Sequence, residues 1–107
     1  MPVDDFVEVC PFSELADGEV AEFIVRGTSI AVARIGGEYR AVSNVCPHAG
    51  GPIGDGEVEG GLVRCPSHGW GFDLTSGVCD LDPSIRLDTY PVRIRSGQVE
   101  VEIPTGG

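Results

Sequence analysis

Two short cysteine-histidine stretches, VCPHAG at residues 45–50 and RCPSHGW at 64–70, lie in the most glycine-rich part of this chain and hold both of its histidines. Between Cys46 and Gly77 fall nine of the 16 glycines, three of the eight prolines and the single tryptophan. Such a composition does not build a conventional core by itself, and a long glycine-rich segment inside a compact domain usually carries function. The segment therefore has to be held by whatever flanks it.

The flanks read as strands. VAEFIVR at 20–26 and IAVARI at 30–35 are rich in β-branched and apolar residues, and GTS at 27–29 is the expected turn between them. Gly36-Gly37 supplies the positive φ angles of a tight hairpin loop, and EYRAVSN follows as a third strand, giving a meander over 20–43. TYPVRIR at 89–95 and QVEVEIP at 98–104 flank Ser96-Gly97 as a second hairpin, expected at a sheet edge, with apolar and acidic residues alternating as if one face met water. PFSELADGE reads as a short turn with Ser13 as a candidate N-cap. The fold class is all-β, with residues 1–107 forming one domain and its functional part at about 45–77.

Charge and cysteine content narrow the function. Seventeen acidic against seven basic side chains give a formal net charge of −10, which opposes nucleic acid and anionic lipid and favours partners with basic surfaces. No apolar run approaches the roughly 20 residues that cross a bilayer, and MPVDDFVEV carries acids where a signal peptide carries Lys or Arg, so a cytoplasmic location is expected. Four cysteines without an export signal do not suggest a disulfide framework. Cys10 and Cys79, which lack histidine neighbours, read as small buried hydrophobes.

Cys46, His48, Cys65 and His68 form the pattern C-x-H, sixteen residues, C-x-x-H. Two thiolates and two imidazoles are a soft-to-borderline set that suits zinc or iron with sulfide. Zinc fingers generally keep cysteine with cysteine and histidine with histidine on separate knuckles, whereas both knuckles here are mixed. Mixed knuckles fit a binuclear centre, because each loop then gives one ligand to each metal. Structural zinc and metal-free turn punctuation are the other readings of the residues alone.

CPHAGG followed by CPSHGW closely resembles the Rieske 2Fe-2S motif, in which two histidines replace two cysteines on one iron. The resemblance implies a cluster with Cys46 and Cys65 on one iron and His48 and His68 on the other. It also implies a fold of small antiparallel sheets with two projecting loops. Glycines 50, 51, 54, 69 and 71 would let backbone N-H groups approach the sulfurs, Pro47 and Pro66 would stiffen the loops, and Trp70 and Phe72 would form an apolar shell. Pro83 is the candidate for a covering loop.

High-potential Rieske proteins place an extra cysteine in each loop and present serine and tyrosine hydroxyls to the cluster sulfurs. The matching positions here are Gly51, Ser67, Trp70 and Phe72. Two missing hydrogen bonds of about 1.5 kcal/mol each lower the potential by roughly 100 mV or more, which points to about −150 mV. The chain thus resembles the ferredoxin of a multicomponent aromatic-ring dioxygenase. Such a protein is no enzyme itself; it passes single electrons from an NAD(P)H-dependent flavoprotein ferredoxin reductase to a terminal oxygenase. The small Rieske-like subunit of assimilatory NADH-dependent nitrite reductase is the alternative.

Overall fold

Four two-residue turns organise the protein: Arg26-Gly27, Gly36-Gly37, Gly60-Gly61 and Ser96-Gly97 each hold positive φ at both positions. This is the turn whose twist matches that of antiparallel strands. Arg26 and Ser96 adopt it at φ 52° and 53°, a conformation that costs a non-glycine residue about 1 kcal/mol. The computed structural model in which these turns occur describes residues 6–47, 50–66 and 69–103.

The strands are β1 (Phe6–Pro11), β2 (Val20–Val25), β3 (Thr28–Ile35), β4 (Glu38–Ser43), β5 (Glu57–Glu59), β6 (Leu62–Arg64), β7 (Gly71–Asp73), β8 (Thr89–Tyr90), β9 (Val92–Arg95) and β10 (Gln98–Glu102). They form three antiparallel sheets in the orders β2-β3-β4-β8, β1-β10-β9 and β5-β6-β7. The meander is thus as the sequence implies, but its first turn is Arg26-Gly27 and not 27–29. Val25 pairs with Thr28, a register that sets Phe23 opposite Ile30. A turn one residue longer would slip the register and send Ile30 and Val32 to the opposite face.

Strand β3 is the central plank. Ile30, Ala31, Val32 and Ala33 are all fully buried, because the strand is covered on both faces. Ile30 and Val32 join Val25, Tyr39, Val99, Val101 and Ile103 in a core shared with the β1-β10-β9 sheet. Ala31 and Ala33 turn the other way, toward Ile53, Val63, Phe72, Leu74 and Leu87. Alanine on that side keeps the layer thin.

Two expectations need correction and a third is sharpened. The glycine-rich segment builds no core by itself, as expected, but it adds a small sheet, β5-β6-β7, whose buried Val63 and Phe72 pack with Ala31, Ala33 and Val42 of the flanking sheet. Strands of three residues are too short to display a period, so composition alone concealed them. The run TYPVRIR divides at Pro91: β8 pairs with β4, whereas β9 pairs with β10. Strand β10 is then central, with β1 on its other side, and Glu100 is covered because Arg93 Nε donates to it at 2.6 Å. The segment after Pro11 is a turn in which the Glu14 amide donates to the Pro11 carbonyl, with no helix for Ser13 to cap. No helix among the described residues is long and apolar enough to cross a membrane.

Candidate metal centre

The first cysteine loop leaves the end of β4, and the second joins β6 to β7. Each closes on itself in the same way. The Cys46 amide donates to the Gly51 carbonyl at 2.9 Å, and the Gly50 amide donates back to the Cys46 carbonyl at 2.7 Å. The Cys65 amide donates to the Trp70 carbonyl at 2.8 Å, and the Gly69 amide returns to the Cys65 carbonyl at 2.8 Å. Gly50 and Gly69, each four residues after a cysteine, share φ values of 71° and 72°. One backbone turn therefore occurs twice, although the sequence offers C-x-H in one loop and C-x-x-H in the other.

This geometry carries Cys46 and Cys65 into a single buried cluster with Phe72, Leu74 and Cys79. Cys46 and Cys65 are 2% and 1% exposed as residues, and all four cysteines are free of disulfides. Cys10 and Cys79 are buried as the sequence implies, in different cores. Burial pushes the Cys10 thiol up, with the Glu14 carboxylate adding to the effect, so that thiol stays protonated and unreactive. His48 and His68 lie outside the described residues, as does Ser67.

The first loop is anchored by a neutral, buried residue that sequence reading missed. Asn44 is 4% exposed, and its Oδ1 accepts from the Gly54 amide at 2.6 Å. Its carbonyl accepts from the Ile53 amide, and its own amide donates to the Ser29 carbonyl. Gly54 is obligatory here, since a Cβ would lie 2.7 Å from the Glu22 backbone nitrogen. An Asn at a strand end signals no such role by itself.

The second loop meets a different partner. Asp80, in the excursion between β7 and β8, receives the Gly71 amide on Oδ1 at 3.0 Å, and its own amide donates to the Gly71 carbonyl. Arg64 Nη1 donates to the Gly69 carbonyl at 3.1 Å and faces Asp80 Oδ2 at 3.5 Å, while its Nε donates to Glu59 at 3.0 Å. Pro83 sits on the same excursion in a turn closed by Ile85 and Asp82 and is itself exposed. There the Ser84 hydroxyl and amide hold the Asp82 carboxyl below its ordinary range. Phe72 is fully buried and Trp70 packs against the same cluster, in line with the expected apolar shell.

Two free sulfurs brought to the bases of matching loops fit a thiolate-ligated iron-sulfur group. The amides of Gly50, Gly54, Gly69 and Gly71, expected to approach the sulfurs, instead donate to the Cys46 carbonyl, Asn44, the Cys65 carbonyl and Asp80, so these glycines close and anchor the loops. The Rieske [2Fe-2S] domain matches residues 5–91, and the chain belongs to that family. It is a ferredoxin, an electron-transfer protein with a Rieske-type 2Fe-2S cluster. The ferredoxin component of the naphthalene 1,2-dioxygenase system of Pseudomonas putida is 30% identical over 99 residues, covering 92% of this chain and 95% of that one. A ferredoxin of Sphingomonas yanoikuyae B1 superposes with a TM-score of 0.85 at 31% identity, covering 92% of this chain and 99% of the other. A chain from a complex of reduced oxygenase and oxidized ferredoxin in carbazole 1,9a-dioxygenase superposes at 0.82 with 27% identity, over 89% and 99% of the two chains. A Mycobacterium tuberculosis structure described as an NADH-dependent nitrite reductase small subunit gives 0.87 at 26% identity, over 98% and 100%.

Proposed function

We propose that this protein passes single electrons from an NAD(P)H-dependent flavoprotein reductase to the terminal oxygenase of an aromatic-ring dioxygenase system. Residues 1–107 act as one domain in the cytoplasm, with Cys46 and Cys65 binding one iron and His48 and His68 the other. The observation that carries this reading is the repeated loop, which delivers Cys46 and Cys65 from two sheets to one buried cluster. Near end-to-end coverage of a dioxygenase ferredoxin component supports the choice of system.

When bound, the cluster supplies a site that stores one electron. The chain's own residues determine how readily. Phe72 and Trp70 stand where high-potential members have hydroxyl donors, and Phe72 keeps that side of Cys46 and Cys65 apolar. Without those donors the added negative charge is less stabilised, so the potential falls toward −150 mV.

The surface favours brief docking. All seven cations are arginines, and Arg34, Arg40, Arg64 and Arg93 are already ion-paired to Asp17, Glu38, Glu59 and Glu100. The remaining field is strongly acidic and suits fast, salt-sensitive encounters with basic partners.

An anaerobic redox titration followed by EPR, with iron, sulfide and zinc measured on the same sample, tests the cluster. A Rieske signal with a negative midpoint is expected; one zinc without sulfide, or a midpoint above zero, refutes the reading. Turnover with an aromatic-ring oxygenase and its reductase tests the partners. The nitrite reductase likeness supports one competing outcome, a tight complex that co-purifies with a catalytic subunit.

A further inference from the structure

The two cysteine loops share a backbone geometry but not a means of support. The first rests on Asn44, neutral and shielded from water. The second rests on two charged side chains, one at the loop's own start and one from the excursion between β7 and β8. Arg64, immediately before Cys65, reaches forward to the Gly69 carbonyl, and Asp80, fifteen residues beyond Cys65, reaches back to the Gly71 amide. Their head groups face one another at 3.5 Å, and Glu59 holds the guanidinium from its other side. The loop from Cys65 to Gly71 is thus gripped at its return by an arginine and a carboxylate that also face each other.

Gly71 fits this arrangement closely. A Cβ there would stand 2.7 Å from Asp80 Oδ2 and 3.2 Å from Arg64 Nη1, and the backbone at Gly71 is not in the left-handed region. The missing side chain is needed for the clamp and not for the turn.

We infer that Arg64 and Asp80 are positioning residues that hold the second cysteine loop in its cluster-binding geometry. We infer further that this loop, unlike the first, is held by an interaction that salt weakens. The side chains of Arg64 and Asp80 are 37% and 31% exposed, so ions reach the pair, and at 1 M salt the Debye length of about 3 Å is shorter than their separation. Asn44 has no charge to screen. The inference rests on the cluster assignment proposed above.

The test is the rate at which a chelator removes iron from the purified, cluster-loaded protein at low and high salt, read beside the reduced-state EPR line shape and the melting temperature. In the unaltered protein, iron release is expected to quicken several-fold at high salt. Arg64→Ala should release iron about tenfold faster at low salt, the lower end of what losing a partner behind a ligand does, and should lose the salt response. Gly71→Ala, which removes neither charge, should act alike by displacing Asp80. Arg64→Lys should restore part of the salt response, and Arg40→Ala, which breaks a remote pair with Glu38, should leave release unchanged. Broader EPR lines in Arg64→Ala and Gly71→Ala, without a matching fall in melting temperature, mark a loosened loop. If both release iron at the unaltered rate and keep its salt response, or if release only follows global melting, the inference is overturned. Unaltered protein without iron and sulfide defeats the cluster assignment itself, before any variant is compared.

Discussion

Replacing Phe72 by tyrosine adds one hydroxyl and nothing else. Phe72 is 0% exposed, belongs to the cluster that holds Cys46 and Cys65, and pairs across the backbone with Val63 and Cys79. A hydroxyl placed there without a partner would lose about 1–3 kcal/mol of stability, or roughly 5–15 °C in melting temperature for a domain of this size. A hydroxyl that donates to a cluster sulfur avoids that loss and bonds more strongly once the cluster has gained an electron. A difference of about 1.5 kcal/mol between the two redox states corresponds to roughly 60 mV for one electron. Phe72→Tyr is therefore expected to raise the midpoint by about 60 mV with little change in melting, measured by redox titration and calorimetry on the same preparation. An unchanged midpoint together with lower melting would show an unpaired hydroxyl and refute the tuning argument.

Other substitutions probe separate parts of the molecule. Cys46→Ala and Cys65→Ala should each abolish iron and sulfide incorporation, whereas Cys79→Ala, in the same core, should retain both at near-normal stoichiometry by colorimetric assay. Asn44→Ala leaves the Gly54 amide buried without its acceptor, and denaturant unfolding should register a loss of about 1–3 kcal/mol. Asp73 accepts the Thr75 and Ser76 amides, which hold its carboxyl below the ordinary 3.8. A lowered folded value gives stability that is present above 3.8 and is lost as pH falls through the folded pKa. Asp73→Asn should therefore flatten the acid limb of the unfolding curve, so a limb as steep as that of the unaltered protein would contradict this assignment.

Much of the fold was legible because its signals are local. Gly36-Gly37 and Ser96-Gly97 declare their turns, and the β-branched runs around them declare strands. The cysteine pair was legible because its spacing is chemical and needs no structure to be read. What stayed hidden depends on distant partners. Phe6–Pro11 is assigned no strand from the sequence and shows itself as one only beside β10, and Glu100 reads as solvent-facing until Arg93 covers it. The anchoring of the second loop by Asp80 joins residues nine or more positions apart through one carboxylate, with no periodicity to announce it. The shared backbone turn was equally invisible, since C-x-H and C-x-x-H differ on paper, and only the glycines at 50 and 69 mark the common point.

The pairing of β1 with β10 bears on how the protein is made. Phe6 faces Glu102 and Pro11 faces Gln98, so β1 finds its neighbour only after β10, about 90 residues further on, has been synthesised. By then both cysteine loops and the four-stranded sheet behind them have been synthesised. Long-range pairing of this kind forms late and slowly, because the chain must close a large loop before the contact is rewarded. That late-closing sheet covers the face of β3 that bears Ile30 and Val32, whereas Cys46 and Cys65 lie with Ala31 and Ala33 on the other, so the cysteine side of the fold does not wait for this pairing. Deleting β10 should therefore open the core around Ile30 and Val32 and lower the stability read by denaturant unfolding, while the residues around Cys46 and Cys65 keep their own packing.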